Sequence, residues 1–227
     1  MNDQLRMLLP ILGAYLVGSI PFGLIVARLA NGVDIRTVGS GNIGATNVAR
    51  SIGKSWGILV LVLDALKGML PTLFFPFLTF TSTESGFVHA QALCGLAAIL
   101  GHMFPCWLRF RGGKGVATAL GVVVVLVPVG SAIAAGVFAL SMAIWRTVSL
   151  SSILAAVSFA ASGMWKMWPT PFSSETWSLA TFSLAIPLLI IMRHRSNIGR
   201  LLRGEEPRFG KKTVETSPSP EADDSAG

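Results

Sequence analysis

Between positions 38 and 53 the chain reads VGSGNIGATNVARSIG, a polar, glycine-rich stretch set between two long apolar runs. Its residue types suit a phosphate. A loop such as Gly39-Ser40-Gly41-Asn42-Ile43-Gly44 lets backbone N–H groups turn toward an anion without hindrance from Cβ atoms. Residues 45–50 can then start a helix whose N-terminus faces the same anion. On that helix Thr46 and Arg50 share a face, with Asn47 beside them. The same letters match G-x-G-x-x-G, but a dinucleotide site needs a preceding strand in a βαβ unit and an acidic residue after the glycines. Here a helix-length apolar run ending in Arg28 comes first, and Asp34 precedes the glycines. Dinucleotide binding is rejected.

Two further polar stretches carry chemistry. Gly101-His102-Met103-Phe104-Pro105 leads into Arg109-Phe110-Arg111-Gly112-Gly113-Lys114-Gly115-Val116-Ala117-Thr118. Glycines with a lysine at a helix start make a second anion nest. The stretch lacks the P-loop spacing and a preceding strand, which argues against an ATPase. Arg109 and Arg111 fit a membrane-side anchor as well as a phosphate contact, whereas Lys114, set among three glycines, reads as functional. The third stretch runs from Arg193-His194-Arg195-Ser196-Asn197 to Arg200, Gly204 and Glu206. On a helix His194 and Asn197 share a face, which points to a joint role.

The elements that must position these groups are membrane helices. The chain is 52% hydrophobic and 13% charged, whereas soluble domains carry about 25% charged residues. Apolar runs cover 8–30, 56–80, 87–108, 116–127, 129–145, 148–168 and 177–192, several of them long enough for a ~30 Å hydrocarbon layer. If the 38–53 loop is cytoplasmic, positive-inside placement puts every Lys and Arg except Arg6, Lys67 and Lys166 on that side. Lys114 and Arg146 then share a side only if two short helices meet near Pro128-Val129-Gly130. The expected fold is an all-α integral membrane protein of seven transmembrane helices, N-terminus outside and C-terminus cytoplasmic. The connections 81–86 and 169–176 fall outside, the second flanked by Trp165, Trp168 and Trp177 as in an aromatic belt. Residues 211–227 are expected to form a disordered polar tail.

The net charge of +7 fits contact with anionic head groups or substrates and not nucleic acid. Cys94 and Cys106 suggest neither a disulfide framework nor a metal site. Asp64 and Lys67, three apart inside the second run, read as a structural ion pair. With all three polar stretches on one side, two glycine nests suggest two phosphate groups meeting, one on each reactant. A transporter for a phosphorylated solute is the rival class, but it calls for repeat symmetry that the sequence lacks.

The three stretches resemble, in order, the signature motifs of the bacterial acyl-phosphate-dependent glycerol-3-phosphate acyltransferases, the small membrane family called PlsY. The resemblance runs from Leu8 to about Phe209, so residues 1–210 are expected to form the acyltransferase domain. It implies acyl transfer from acyl phosphate to the 1-hydroxyl of glycerol 3-phosphate at the cytoplasmic face of the bacterial inner membrane. The products would be lysophosphatidate and phosphate. It further implies a catalytic set of Ser40, Arg50, Lys114, His194 and Asn197. Around it, Gly39, Gly41, Asn42, Gly44, Thr46, Asn47, His102, Gly112, Gly113, Gly115, Ser149, Ser152 and Glu206 would bind substrate. Ser149 and Ser152 fit helix capping equally well, and His102 could brace the glycine loop as readily as catalyse. His194, His102 or the departing phosphate could take the hydroxyl proton. Membrane lipids and the soluble enzyme that makes acyl phosphate are the candidate partners, and no cofactor is implied. With no metal-ligand spacing visible, magnesium-independent catalysis is expected. Acyl transfer by the purified protein should survive a chelator; loss of activity restored by one divalent ion would overturn this.

Overall fold

The computed structural model describes residues 3–79 and 83–210. Part of the expected 81–86 connection and the whole 211–227 tail lie outside the described residues. Among these, the secondary structure is helical: α1 Asp3–Gly18, α2 Phe22–Asn31, α3 Ala45–Ser51, α4 Lys54–Phe74, α5 Glu84–Met103, α6 Val116–Leu126, α7 Pro128–Trp145, α8 Val148–Lys166, α9 Trp177–Arg193 and α10 Arg195–Leu202.

The 8–30 run, expected as one helix, is two. Pro21 has no N–H to continue the ladder. Before it, the Ser19 N–H and hydroxyl both turn back to the Tyr15 carbonyl at 2.9 and 2.8 Å. α2 resumes after Pro21 and ends at Gly32, which takes the left-handed conformation. The 116–145 region does divide into two helices next to Pro128, but they are unequal. α6 has 11 residues and α7 has 18, so α6 is only about 16 Å long at 1.5 Å per residue. Among the described residues, five segments are long and apolar enough to cross a membrane, α1–α2 counting as one, and α9 with α10 makes a sixth as a pair bent by 60°. Large apolar side chains such as Leu29, Leu140 and Val129 face outward, as lipid contact requires.

α6 is enclosed because small residues let backbones approach. Gly68 of α4 lies against Thr118, and Gly121 of α6 lies against the Ala65 carbonyl. A core of Ile99, Met103, Val122, Phe159, Phe182, Ile186 and Ile190 joins α5, α6, α8 and α9. A second cluster matters more for the first polar stretch. Ile35, Ile43 and Val48 pack on Leu24, Val26 and Ala27 of α2 and on Val60 of α4. α2, which follows the break, forms this seat. At the same end Tyr15 donates to the Phe104 carbonyl at 2.7 Å, tying α1 to the exit of α5.

Gly121→Val must push a side chain into the α4 backbone, whereas a side chain at Gly136 of α7 meets nothing within 4 Å. Overpacking of this kind costs about 1–3 kcal/mol. Thermal unfolding in detergent should show Gly121→Val melting several degrees below the parent and Gly136→Val close to it.

Candidate active site

The three polar stretches meet at one end of the bundle. A cavity of about 440 Å³ is lined by Ser40 and Asn42 from the first, Phe104 and Lys114 from the second, and Arg193, Arg195, Ser196, Asn197 and Arg200 from the third. Leu189 and Met192 of α9 complete it. Most of the lining is cationic or polar, and Phe104, Leu189 and Met192 add apolar surface to it. Such a space suits a phosphate group attached to a hydrocarbon chain.

The first stretch folds around Asn47. Its side-chain carbonyl accepts the Ser40 N–H at 2.9 Å, and its amide donates to the carbonyls of Ile35, Val38 and Asn42 at 3.1, 3.1 and 2.9 Å. Asn47 is buried and committed, which corrects its expected place against substrate. The Gly41 N–H bonds the Val38 carbonyl at 3.0 Å, and the Gly44 N–H bonds Asn42 Oδ1 at 2.9 Å. Gly39 has φ +59, and any side chain there would strike Asn47 and Ser51. Ser40 and Asn42 are what this turn presents to the cavity. α3 does place Thr46 and Arg50 four residues apart, but neither lines the cavity. Arg50 instead donates to the Pro207 carbonyl at 3.1 Å.

The second stretch is bonded in the same way. The Gly112 and Gly113 N–H groups bond the Met103 and His102 carbonyls at 3.2 and 3.1 Å. Their own carbonyls accept from Arg193 at 2.8 to 3.2 Å, and the Arg193 guanidinium also stacks on the Phe104 ring at 5.4 Å. Gly115, at φ +82, leads into α6. These glycines form a turn that aims Lys114, whose Nζ donates to Asn197 Oδ1 at 2.6 Å. His102 is 3% exposed and does not line the cavity. Its Nδ1 lies 3.6 Å from Asp64, which also pairs with Lys67 at 2.8 Å.

The third stretch supplies the centre of the charge network. Glu206, its side chain 5% exposed, accepts from Arg200 at 2.7 Å, Asn197 at 2.6 Å and Ser149 at 2.7 Å. Ser149 thus acts through Glu206, while Ser152 donates to the Val148 carbonyl of its own helix. Burial alone would raise the Glu206 carboxyl, but those three bonds outweigh it and hold it below the usual range. Lys114 is pushed down to about 8 by burial, then by the charges of Arg200, Arg50 and Arg193 against the pull of Glu206. His194 is pushed down to about 4, chiefly by burial and then by Lys114. It is neutral at pH 7. Its Nδ1 must carry the proton that reaches the Ile190 carbonyl at 2.8 Å, which leaves Nε2 as an acceptor.

Arg193, Arg195, Arg200, Ser196, Phe104, Leu189 and Met192 were not expected to line the site. Arg193 resembles any basic residue at a helix end, and the apolar three resemble any lipid-facing residue.

The glycerol-3-phosphate acyltransferase family model matches residues 8–204. The chain belongs to this family. A glycerol-3-phosphate acyltransferase of Anaeromyxobacter sp. (strain K) is 45% identical over 212 residues, covering 92% of this chain and 100% of the relative. One from Caulobacter vibrioides (strain NA1000 / CB15N) is 47% identical over 216 residues, covering 93% of each chain. The fold is similar to two crystal structures of PlsY (YgiH), an integral membrane glycerol 3-phosphate acyltransferase. The glycerol 3-phosphate form has a TM-score of 0.79 at 43% identity, covering 90% of this chain and 96% of that one. The lysophosphatidic acid form has a TM-score of 0.76 at 42% identity, covering 90% and 95%.

Lys114 keeps its proton to pH 10.5 in the unfolded chain and to about 8 in the folded one. Its burial as a cation therefore weighs against folding below pH 8, and that cost fades as pH rises toward 10.5. Anion binding runs the other way, because only the protonated lysine attracts a phosphate. Sulfate, whose own charge does not change in this range, should bind progressively less well as pH rises through 8. Lys114→Arg should flatten that loss in a calorimetric titration.

Proposed function

We propose that this chain transfers a fatty acyl group from acyl phosphate to the 1-hydroxyl of glycerol 3-phosphate, releasing lysophosphatidate and phosphate. The observation that carries the reading is the cavity itself. It brings Lys114, Arg193, Arg195, Arg200 and Ser40 together with Phe104, Leu189 and Met192, in a chain built of membrane-length apolar helices. The related PlsY structures in glycerol 3-phosphate and lysophosphatidic acid forms support the same acceptor and product here.

The donor follows from chemistry. Acyl phosphate is a mixed anhydride with a good leaving group, so no acyl-enzyme is needed. The protein's task is to hold two phosphate-bearing reactants close and aligned despite their repulsion. Lys114 and the arginines offset that repulsion, Ser40 and Asn197 add hydrogen bonds, and Arg50 acts from beside Pro207. Attack by the 1-hydroxyl forms the ester C–O bond and breaks the C–O bond to phosphate. The leaving phosphate would carry three charges unless it takes the hydroxyl proton; with it, it departs as HPO4²⁻. That oxygen is a far stronger base than a neutral imidazole, so the proton ends on phosphate; His194, buried and outside the cavity lining, is not needed as the base.

We further propose seven membrane crossings, with α6 as the short one and the cavity facing the cytoplasm at the inner membrane. The N-terminus then lies outside. Support comes from charge: the cavity end holds Arg28, Arg36, Arg50, Lys54, Arg109, Arg111, Lys114 and the Arg193–Leu202 basic turn. At the other connection Trp165 and Trp168 stand 85% and 77% exposed, as interfacial tryptophans do.

Purified protein in lipid should form lysophosphatidate from acyl phosphate and labelled glycerol 3-phosphate, and not from acyl-CoA or acyl carrier protein. Ser40→Ala, Arg50→Ala and Lys114→Ala should each lower kcat/KM by roughly tenfold or more, as loss of a bond to a charged group does. Product from acyl-CoA alone, or undiminished turnover in all three variants, would overturn the reading.

A further inference from the structure

Asp64, Lys67 and His102 form a buried group that the reaction just described does not use. They are 1%, 3% and 3% exposed. Lys67 Nζ lies 2.8 Å from Asp64 Oδ1 and donates to the Ile20 carbonyl at 2.7 Å. His102 Nδ1 lies 3.6 Å from the same Asp64 oxygen, an electrostatic contact longer than a hydrogen bond, and this buried nitrogen has no hydrogen-bond partner. Burying such a group is costly, and apolar residues of similar volume commonly pack as well or better. Simple filling is therefore a poor account of it.

What the group touches suggests a better one. At one end is Ile20, the last residue before Pro21 in the α1–α2 break. Lys67 supplies a donor to a backbone carbonyl there, and α2, which follows the break, seats the first polar stretch. At the other end is His102. Its carbonyl accepts the Gly113 N–H at 3.1 Å. Its ring lies so close to Gly113 that any side chain there would strike Nε2, Cε1 and Cδ2. The next residue is Lys114, which lines the cavity. A continuous line of contacts thus runs from Ile20 through Lys67, Asp64, His102 and Gly113 to the cationic wall.

We propose that Asp64 is a positioning residue for acyl transfer: held by Lys67, its carboxylate orients the His102 ring, and the ring fixes the Gly112–Gly113 turn that aims Lys114 into the cavity. A carboxylate facing Nδ1 favours the tautomer with its proton there and selects one of the two ring flips. Arg193 holds the same turn from the opposite side through the Gly112 and Gly113 carbonyls. Loss of Asp64 frees one side of this clamp. The proposal rests on the acyl-transfer reading for its consequence, and on Lys114 binding phosphate for its test.

The test is a double-mutant cycle on the full chain in lipid. It uses Asp64→Asn, Lys114→Met and their combination, together with the charge-neutral pair Asp64→Asn/Lys67→Met. Glycerol 3-phosphate binding by calorimetry, kcat, KM and thermal midpoint are measured for each. Asp64→Asn and the neutral pair should each weaken glycerol 3-phosphate binding by roughly tenfold, the effect of losing one well-aimed charged contact. Combined with Lys114→Met, Asp64→Asn should cost little more, because both changes act on one ammonium group. A role in stability alone predicts additive losses and a lowered midpoint. Additive binding losses would overturn the proposal, as would a neutral pair within twofold of the parent. Unfolding of both Asp64 variants would assign the group to folding and overturn it as well. If the parent protein binds glycerol 3-phosphate but forms no lysophosphatidate, the acyl-transfer reading fails while the cycle still reports on Asp64.

Discussion

The structure depends on holding several cations around one small space. Lys114, Arg193, Arg195 and Arg200 line the same cavity, and charges so close repel strongly where water is partly excluded. Glu206 is the carboxylate they share. It binds Arg200 directly, reaches Lys114 through Asn197, and takes a third bond from Ser149 at the start of α8. One negative charge thereby ties together α6, α8 and α10. The opposition remains incomplete, since one carboxylate faces four cations. The surplus positive charge is what an incoming phosphate meets.

The glycines serve this arrangement differently from the way a phosphate loop uses them. The N–H groups of Ser40, Gly41, Gly44, Gly112 and Gly113 are all spent inside the protein. Their bonds make two compact turns, each braced by one buried polar side chain, Asn47 in the first and His102 in the second. A rigid turn lets a lysine be aimed with little loss of freedom on binding. It also spares the site from exposing unpaired backbone donors near lipid, which would be costly.

The helices carry the site in a matching way. The 60° bend between α9 and α10 lies beside the α10 residues that line the cavity. Small residues in α4 and α6 bring two backbones together. The resulting body has an apolar exterior, a tightly packed interior and one charged mouth, in keeping with the family to which the chain belongs.

Much of this was legible in the sequence, and the boundary of what was not has a physical cause. Apolar runs show membrane helices because every residue in lipid must satisfy the same solvent. Three ordered polar stretches identify the family because residue type and local spacing are written directly in the chain. The division beside Pro128 is visible because proline blocks a local hydrogen bond, although the unequal lengths of α6 and α7 are not. The partners of those residues lie elsewhere. Nothing in Asn47 announces four bonds within its own loop, and nothing in Glu206 announces Ser149, 57 positions away. A glycine that opens a turn to an anion and one that admits a histidine ring are the same letter. Which it becomes is decided by the atoms packed against it, and only the tertiary structure brings those atoms there.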